Sequence, residues 1–188
     1  CASHRTVPVT GDNYFYIYCL WVSGNYKGKG YGKELLQSCI DDAKAQGKSG
    51  ICLLSSKKKK PFLSEKKFML KYGFKVVDTI NDEYELLALS FDGTQPQFTS
   101  NVRKQSIEGK ELTIYYGVQC PYIPNCIEQI YNYCENNQIP LRLVEIDTLE
   151  KAKQLPCIFN NWAVFYNGKF ETVHLLNEGL LKKLLQLK

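Results

Sequence analysis

Residues 27–33 are of types that can bind a phosphate group. Glycine and lysine dominate this stretch, which contains Lys27, Gly28, Lys29, Gly30, Gly32 and Lys33. Glycine lets several backbone amides turn toward one pyrophosphate, and lysine ammonium groups can approach the phosphate oxygens. The spacing differs from the dinucleotide fingerprint G-x-G-x-x-G, which would need a glycine in place of Lys33. We interpret the stretch as a candidate pyrophosphate site, with a flexible turn that binds nothing as the alternative.

The elements predicted around this turn place it between a strand and a helix. Residues 14–22 are almost continuously β-branched or aromatic, which predicts a buried strand. Apolar residues recur at helical spacing over residues 31–46, and Gly47 then supplies a stop signal. The positive end of the helix dipole would therefore lie at the turn. Four further elements are predicted, namely a strand at 51–55, a helix from Ser64 to about Tyr72, and strands at 74–79 and 84–90.

The turn resembles the acetyl-CoA motif of the GNAT superfamily of N-acetyltransferases. That motif reads Arg or Gln, two residues, Gly, one residue, then Gly or Ala, and here Lys27, Gly30 and Gly32 take its positions. Residues 71–74, Lys-Tyr-Gly-Phe, are similar to a helix end of the same family. The resemblance covers residues 14 to about 90 and implies the GNAT acyl-CoA N-acyltransferase fold. The family's first strands and helices have no counterpart before Cys1, which is consistent with a sequence that begins inside a longer chain.

The resemblance also implies an activity, a co-substrate and binding residues. An amine acceptor, either a small molecule or a protein, would attack the thioester of acetyl-CoA directly. The backbone of Leu20, Trp21 and Val22 would pair with the pantetheine arm of acetyl-CoA. The residues around its pyrophosphate would be Lys27, Gly28, Lys29, Gly30, Tyr31, Gly32 and Lys33.

The sequence identifies the catalytic groups less clearly than the residues that would bind acetyl-CoA. Many family members carry a general acid as a tyrosine four residues before the glycine of Gly-Phe, and that position is Met69, which cannot donate a proton. Either Tyr72 or a residue outside this chain is the candidate substitute, and the alternative for Tyr72 is a tyrosine packed in the core. No carboxylate lies in residues 14–22, so the sequence names no general base. A protein that binds CoA without transferring an acetyl group is therefore a further alternative.

A second α/β pattern follows residues 92–110, a stretch rich in Gly, Thr, Gln, Pro and Ser that we predict to be a linker. The domains would then cover residues 1–91 and 111–188. The predicted order of the second domain is β-α-β-α-β-β-α. Its elements are strands at 112–116, 141–146, 162–166 and 169–173, and helices at 123–136, 148–154 and around the leucines 180–185.

This second pattern resembles a small thioredoxin/glutaredoxin-like domain. Cys120, followed by a proline, resembles the start of that family's active-site turn, where a helix N-terminus lowers the pKa of a thiol. The family's second cysteine would fall on Ile123, and Cys126 is too distant for the C-x-x-C motif. Pro156 stands where that fold carries a cis-proline, and Cys157 follows it.

Two interpretations of these cysteines stay open. The domain is either a degenerate thioredoxin-like binding domain, or a thiol redox or metal-sensing module that uses Cys120, Cys126 and Cys157. Taken whole, the chain resembles the bacterial YoaP-type proteins, in which a GNAT domain precedes a domain of this kind.

Composition narrows the possible partners and the compartment. The formal net charge of +5 is a mild bias toward anionic partners, and much of it lies in residues 57–60, a lysine run that is either a solvated loop or a phosphate contact. The run has no interleaved aromatic residues, so we expect no nucleic-acid partner. No apolar stretch approaches the roughly 18 to 20 residues of a membrane span, so we expect no membrane association. We also expect no metal site. Eight cysteines spread along the chain favour free thiols in a reducing cytoplasm.

Overall fold

The computed structural model of the chain describes residues 7–11, 13–60 and 63–186. They form two compact units, the first over Val9–Phe98 and the second over Thr99–Lys188 with a short stretch that ends at Pro8. The boundary between the units falls inside the predicted linker, which carries a 3-10 helix at Ser100–Arg103. Within the described part of the chain, no helix is long and apolar enough to cross a bilayer.

The first unit is a four-stranded mixed sheet with two helices. The strands lie in the order β1-β2-β4-β3, with β1 parallel to β2 and the other neighbours antiparallel. Their bounds are Tyr14–Tyr16 for β1, Gly50–Ser56 for β2, Lys75–Ile80 for β3 and Tyr84–Ser90 for β4. Helix α1 spans Tyr31–Ala45 and helix α2 spans Lys66–Lys71. The predicted helix at 31–46 and the last three predicted strands are confirmed to within two residues.

Both helices pack against one face of this sheet. The buried apolar residues of the helices are Leu36, Ile40 and Ala43 in α1 and Met69 in α2. They meet Phe15, Ile51, Leu53 and Leu87, which alternate along three strands and therefore share a face. Burial of each large apolar side chain in this cluster stabilises the unit by roughly 1.5–3 kcal/mol. The predicted Ser64 cap is wrong, because Glu65 precedes α2 and its side chain makes no capping hydrogen bond.

Strand β1 is much shorter than the predicted strand at residues 14–22. The amide of Ile17 still donates to Cys52 O at 3.0 Å. In a continued parallel ladder Leu54 N would next donate to the carbonyl of Ile17, but it donates instead to the hydroxyl of Tyr16 at 3.2 Å. The aromatic side chain thus ends the pairing, and the chain after Ile17 leaves the sheet.

The second unit is also built on a four-stranded mixed sheet, with strand order β6-β5-β7-β8. Strands β5 and β6 are parallel, and β7 and β8 continue the sheet through antiparallel pairs. The strands are Leu112–Tyr116 (β5), Leu141–Glu145 (β6), Trp162–Tyr166 (β7) and Lys169–Thr172 (β8), and the helices are Ile123–Asn136 (α3), Leu149–Lys153 (α4) and Glu178–Leu185 (α5). The predicted element order β-α-β-α-β-β-α is confirmed.

Helices cover both faces of this second sheet. Helices α3 and α5 share a core with β5 and β7, in which Ile130 and Leu181 pack with Ile114 and Val164. A smaller cluster around Ala152 of α4 joins side chains from β5 and β6. The layers are therefore helix, sheet and helix.

We predict opposite stability effects for two Gly→Ala substitutions in the first unit. In Gly50→Ala the new Cβ would lie within 3.0 Å of Leu89 O and of a ring carbon of Tyr14, which should destabilise the protein by about 1–3 kcal/mol or more. In Gly32→Ala the new Cβ would lie 3.6 Å from the Phe68 ring, and the higher helix propensity of alanine should preserve or slightly raise stability. Urea denaturation followed by circular dichroism measures both, and equal midpoints for the two variants would contradict the prediction.

Candidate functional site

Five consecutive backbone amides at the start of α1 have no acceptor in the described structure. No residue of the ranges 7–11, 13–60 and 63–186 accepts a hydrogen bond from the amides of residues 28–32. Gly30 precedes the helix, so the last of these amides are the orphan donors of a first helical turn. The dipole of this 15-residue helix adds partial positive charge at the same place. Unpaired amides beside the positive end of a helix dipole are of the kind that hold an anion, and we call residues 28–32 the cradle.

The cradle needs glycine at two positions for a conformational reason. Gly28 and Gly30 have φ values of 76° and 91°, in the region that L-residues rarely adopt. No heavy atom lies within 4 Å of a Cβ built on either residue, so backbone conformation, and not crowding, imposes the requirement. Gly32 does not share this constraint, in agreement with a motif position that accepts glycine or alanine.

The positive charge of the flanking lysines is not neutralised by the described residues. None of the carboxylates in the described ranges forms an ion pair with Lys27, Lys29 or Lys33. The ammonium groups of Lys27 and Lys29 lie over the rings of Trp21 and Tyr26, at 5.1 and 5.7 Å from the ring centroids. Such contacts leave the ammonium charge available to an anion.

The lysine run at residues 57–60 is different, because acidic residues pair with three of its members. Lys57 pairs with Asp82, Lys59 with Glu65 at 3.6 Å, and Lys60 with Glu83 at 2.5 Å. The hydrogen bond to Glu83 raises the pKa of Lys60. The run therefore resembles a solvated, charge-balanced loop more than a phosphate site.

The backbone just before the cradle is free of the sheet. Because β1 ends early, no described residue forms a hydrogen bond with the backbone of Leu20, Trp21 or Val22. The side chain of Leu20 packs on the core of the first unit, whereas that of Trp21 is 65% exposed. These residues thus present unpaired amide and carbonyl groups, as an amide-containing ligand would require.

Met69 and Tyr72, the two positions considered for a general acid, differ in their environments. Met69 is fully buried in the core, and Tyr72 is partly buried just after α2. The Tyr72 ring packs on Phe68 at 4.9 Å between centroids, and the Phe68 ring in turn faces Gly32 of the cradle. No described residue is hydrogen-bonded to the Tyr72 hydroxyl. The sequence interpretation missed Phe68, which links Tyr72 to the cradle through packing.

A buried carboxylate in the first unit was also missed. Glu85 of β4 is 3% exposed, and Lys66 Nζ lies 2.7 Å from its Oε1 and 2.6 Å from its Oε2. Its cross-strand neighbour Ser55 has a fully buried hydroxyl without a partner in the described residues. A sequence signal existed, since Glu85 occupies the same face of its strand as buried Leu87.

The three candidate thiols of the second unit differ in their burial. Cys126 and Cys157 are buried, and burial raises the pKa of the Cys157 thiol to about 12. Cys126 Sγ donates to Leu176 O at 3.2 Å, and burial raises its pKa as well. Cys120 is partly buried and precedes α3 by three residues. The described residues contain no cluster of three or more His, Cys, Asp or Glu side chains that could hold a metal.

The proline position implied by the thioredoxin resemblance also differs from expectation. The peptide bond before Pro156 is trans, as are all the peptide bonds of the described ranges. Pro156 and Cys157 are both buried, so the segment is packed into the second unit.

Comparison with known proteins gives an independent view of both units. Residues 1–74 match the acetyltransferase (GNAT) family, and residues 140–183 match the family described as YoaP-like. The chain is 38% identical over 186 residues to a Bacillus subtilis (strain 168) protein named "Uncharacterized N-acetyltransferase YoaP", an alignment that covers 98% of this chain and 74% of that protein. No solved structure matches the chain. The α/β architecture with mixed sheets is consistent with the GNAT fold, and the chain belongs to the GNAT acetyltransferase family.

Proposed function

We propose that this protein transfers an acetyl group from acetyl-CoA to an amine by direct attack on the thioester. The observation that carries the proposal is the cradle of five unpartnered amides at the start of α1, beside three lysines without carboxylate partners. A pyrophosphate needs this combination of donors and positive charge. The free backbone at residues 20–22 supports the proposal, because pantetheine contains two amide groups that pair in an extended conformation.

The reaction requires the protein to stabilise one developing negative charge and to assist two proton transfers. The nitrogen lone pair of the acceptor attacks the thioester carbon, and the carbonyl oxygen gains negative charge in the transition state. By resemblance to the family, a backbone amide of residues 20–22 would stabilise that oxygen. The C–S bond then breaks, the amine gives up a proton, and the departing CoA thiolate accepts one.

Tyr72 is the group that we propose as the proton donor to the thiolate. It follows α2 on the same side of the sheet as the start of α1, and its hydroxyl has no competing partner among the described residues. Met69 has no proton to donate and is buried in the core. The base that accepts the amine proton is not assigned.

For the second unit we propose a thioredoxin-like binding domain without thiol exchange. The strand order β6-β5-β7-β8, with β7 antiparallel to β5, supports a thioredoxin-like arrangement. Burial of Cys126 and Cys157 argues against a redox or metal-sensing module. We also propose that the two compact units correspond to the two domains and that the protein acts in the cytoplasm.

The first prediction from the proposed function concerns acetyl-CoA affinity in a matched pair of glycine variants. Gly30→Ala and Gly93→Ala place an alanine at φ values of 91° and 85°, each in open space, so both should lose about 1–2 kcal/mol of stability. Only Gly30→Ala distorts the cradle, and we expect its acetyl-CoA affinity to fall at least about 10-fold because amide donors are misdirected. Isothermal titration calorimetry on the full chain measures the affinity. Absence of acetyl-CoA binding by the unmodified protein at high micromolar concentration would exclude the proposed function.

The second prediction separates binding from catalysis at Tyr72. If its hydroxyl protonates the thiolate, Tyr72→Phe should lower kcat by about 100-fold and leave the Kd for acetyl-CoA unchanged. Transfer of a radiolabelled acetyl group to spermidine, or to a peptide with a free amino terminus, gives the rate. Tyr131→Phe removes an exposed hydroxyl of the second unit and serves as the control. Equal kcat for the unmodified protein and Tyr72→Phe would exclude this role, and tight binding with no transfer to any amine would favour a CoA-binding protein without transferase activity.

The third prediction concerns the thiols and their dependence on pH. Because burial raises the folded-state pKa of Cys157 to about 12, this thiol should resist iodoacetamide at pH 8, whereas exposed Cys19 should react. The stability that a protonated Cys157 contributes is complete below the unfolded thiol pKa of about 8.5, and it is lost as pH rises from there toward 12. Peptide mass spectrometry locates the modified cysteines. Stoichiometric labelling of Cys157 in the native protein would instead support the thiol-exchange alternative.

A further inference from the structure

The hydroxyl of Tyr16 lies at the point where β1 and β2 separate. Tyr16 is the last residue of β1 and is paired with Cys52 of β2. Its hydroxyl accepts a hydrogen bond at 3.2 Å from the amide of Leu54, two residues further along β2. Because the amides of a ladder point across the space between neighbouring strands, the hydroxyl occupies that space just beyond the last pair. We call this point, between Ile17 and Leu54, the split.

The Tyr16 hydroxyl is a buried hydrogen-bond donor without an acceptor in the described structure. The residue is 6% exposed, and none of the residues in the described ranges accepts the hydroxyl proton. The contact with Leu54 N uses only a lone pair of the oxygen, since the amide is the donor. Burial raises the pKa of Tyr16 above its ordinary value, so the hydroxyl keeps its proton. Buried polar groups generally have a partner, and a ligand that carries an acceptor oxygen would supply the missing one.

The order of the candidate binding segments brings the thioester of acetyl-CoA toward the split. In acetyl-CoA the pantetheine arm separates the thioester from the pyrophosphate. In the proposed function the pyrophosphate occupies the cradle at residues 28–32, and the arm pairs with the free backbone at residues 20–22. An arm that runs in this direction continues from residue 20 toward residue 17, where the split lies. The group that arrives there is the thioester, whose oxygen is an acceptor that gains negative charge during transfer.

We propose that the Tyr16 hydroxyl donates a hydrogen bond to the thioester oxygen of acetyl-CoA and stabilises the negative charge that develops there. This inference rests on the proposed function, because it adds a side-chain donor to the backbone amide of residues 20–22. The hydroxyl keeps its proton throughout the reaction, so Tyr72 remains the group that protonates the thiolate. The hydrogen bond from Leu54 N holds the Tyr16 oxygen in place before the substrate arrives. Such preorganisation is what makes a donor effective in the transition state.

A matched pair of tyrosine variants tests the contribution of this hydroxyl to the rate. Tyr16→Phe should lower kcat for acetyl transfer by about 100-fold, as expected for the loss of one donor to a developing oxyanion. The Kd for acetyl-CoA should change much less, because the hydrogen bond strengthens as the charge develops. Tyr14→Phe is the control, since Tyr14 lies on the same face of β1, is equally buried, and donates its hydroxyl proton to Thr94 O. This variant should keep the kcat of the unmodified protein.

Isotope-edited infrared spectroscopy of the bound acetyl group reports the hydrogen bond directly, because a hydrogen bond lowers the stretching frequency of a carbonyl. The frequency should rise in Tyr16→Phe and stay unchanged in Tyr14→Phe. It should also stay unchanged in Tyr72→Phe, which slows transfer for a different reason. Tyr16→fluorotyrosine keeps the hydroxyl and makes it a stronger donor, so this variant should lower the frequency. The fluorotyrosine measurement decides the question even where Tyr16→Phe fails to fold.

The outcomes distinguish this inference from the proposed function. Unchanged kcat in Tyr16→Phe, or a carbonyl frequency that neither variant of Tyr16 shifts, would overturn the role of Tyr16 and leave the acetyl-CoA proposal standing. An equal loss of kcat in Tyr16→Phe and Tyr14→Phe would also overturn it, because the loss would then be structural. Failure of the unmodified protein to bind acetyl-CoA would overturn both the inference and the proposed function.

Discussion

The hydrogen bond between Leu54 N and the Tyr16 hydroxyl ends the pairing of β1 with β2, and the candidate site depends on where that pairing ends. The hydroxyl takes the amide that the carbonyl of Ile17 would accept in a continued parallel ladder. Burial raises the pKa of Tyr16 above its ordinary value, so this group stays a neutral phenol in the folded protein. Because the ladder stops here, the backbone of residues 20–22 leaves the sheet with its polar groups unpaired, and the chain can turn into the cradle.

The two lysine-rich segments of the first unit differ in how much of their positive charge is neutralised. Composition alone does not show this difference. In the run at residues 57–60, three of the four lysines are held by Asp82, Glu65 and Glu83, so little net potential remains. At the glycine turn the lysines lack such partners among the described residues, and their charge adds to that of the helix dipole. These effects are individually weak but act in the same direction, and they would favour an anion at the turn.

The second unit uses its cysteines as apolar core residues. Cys126 and Cys134 lie on the buried side of α3 beside Ile123 and Ile130, at the spacing of a helix that packs against a sheet. Desolvation keeps such thiols protonated, and a protonated thiol is a poor nucleophile and a poor metal ligand. The match of residues 140–183 to the YoaP-like family covers the part of this unit that follows α3.

The sequence by itself determined the order of nearly all the elements and the location of the candidate site. Helical periodicity bounded α1 to within one residue, and Asn167-Gly168 marked the hairpin between β7 and β8, because these signals arise from local backbone geometry. The glycines of the cradle were visible for the same reason, since a positive φ is a local constraint.

Only the tertiary structure decided where β1 ends, which lysines are neutralised and which thiols are buried. The aromatic content of residues 14–22 is the same whether the segment pairs with a neighbouring strand or leaves the sheet. The end of β1 depends on the position of one tyrosine hydroxyl. The partners of Lys57 and Lys60 come from the turn between β3 and β4, more than 20 residues away in the sequence. A cavity of the first unit likewise brings Trp21 together with Tyr31 and Leu35 of α1. Contacts of this kind depend on how the chain packs, which local sequence patterns do not encode.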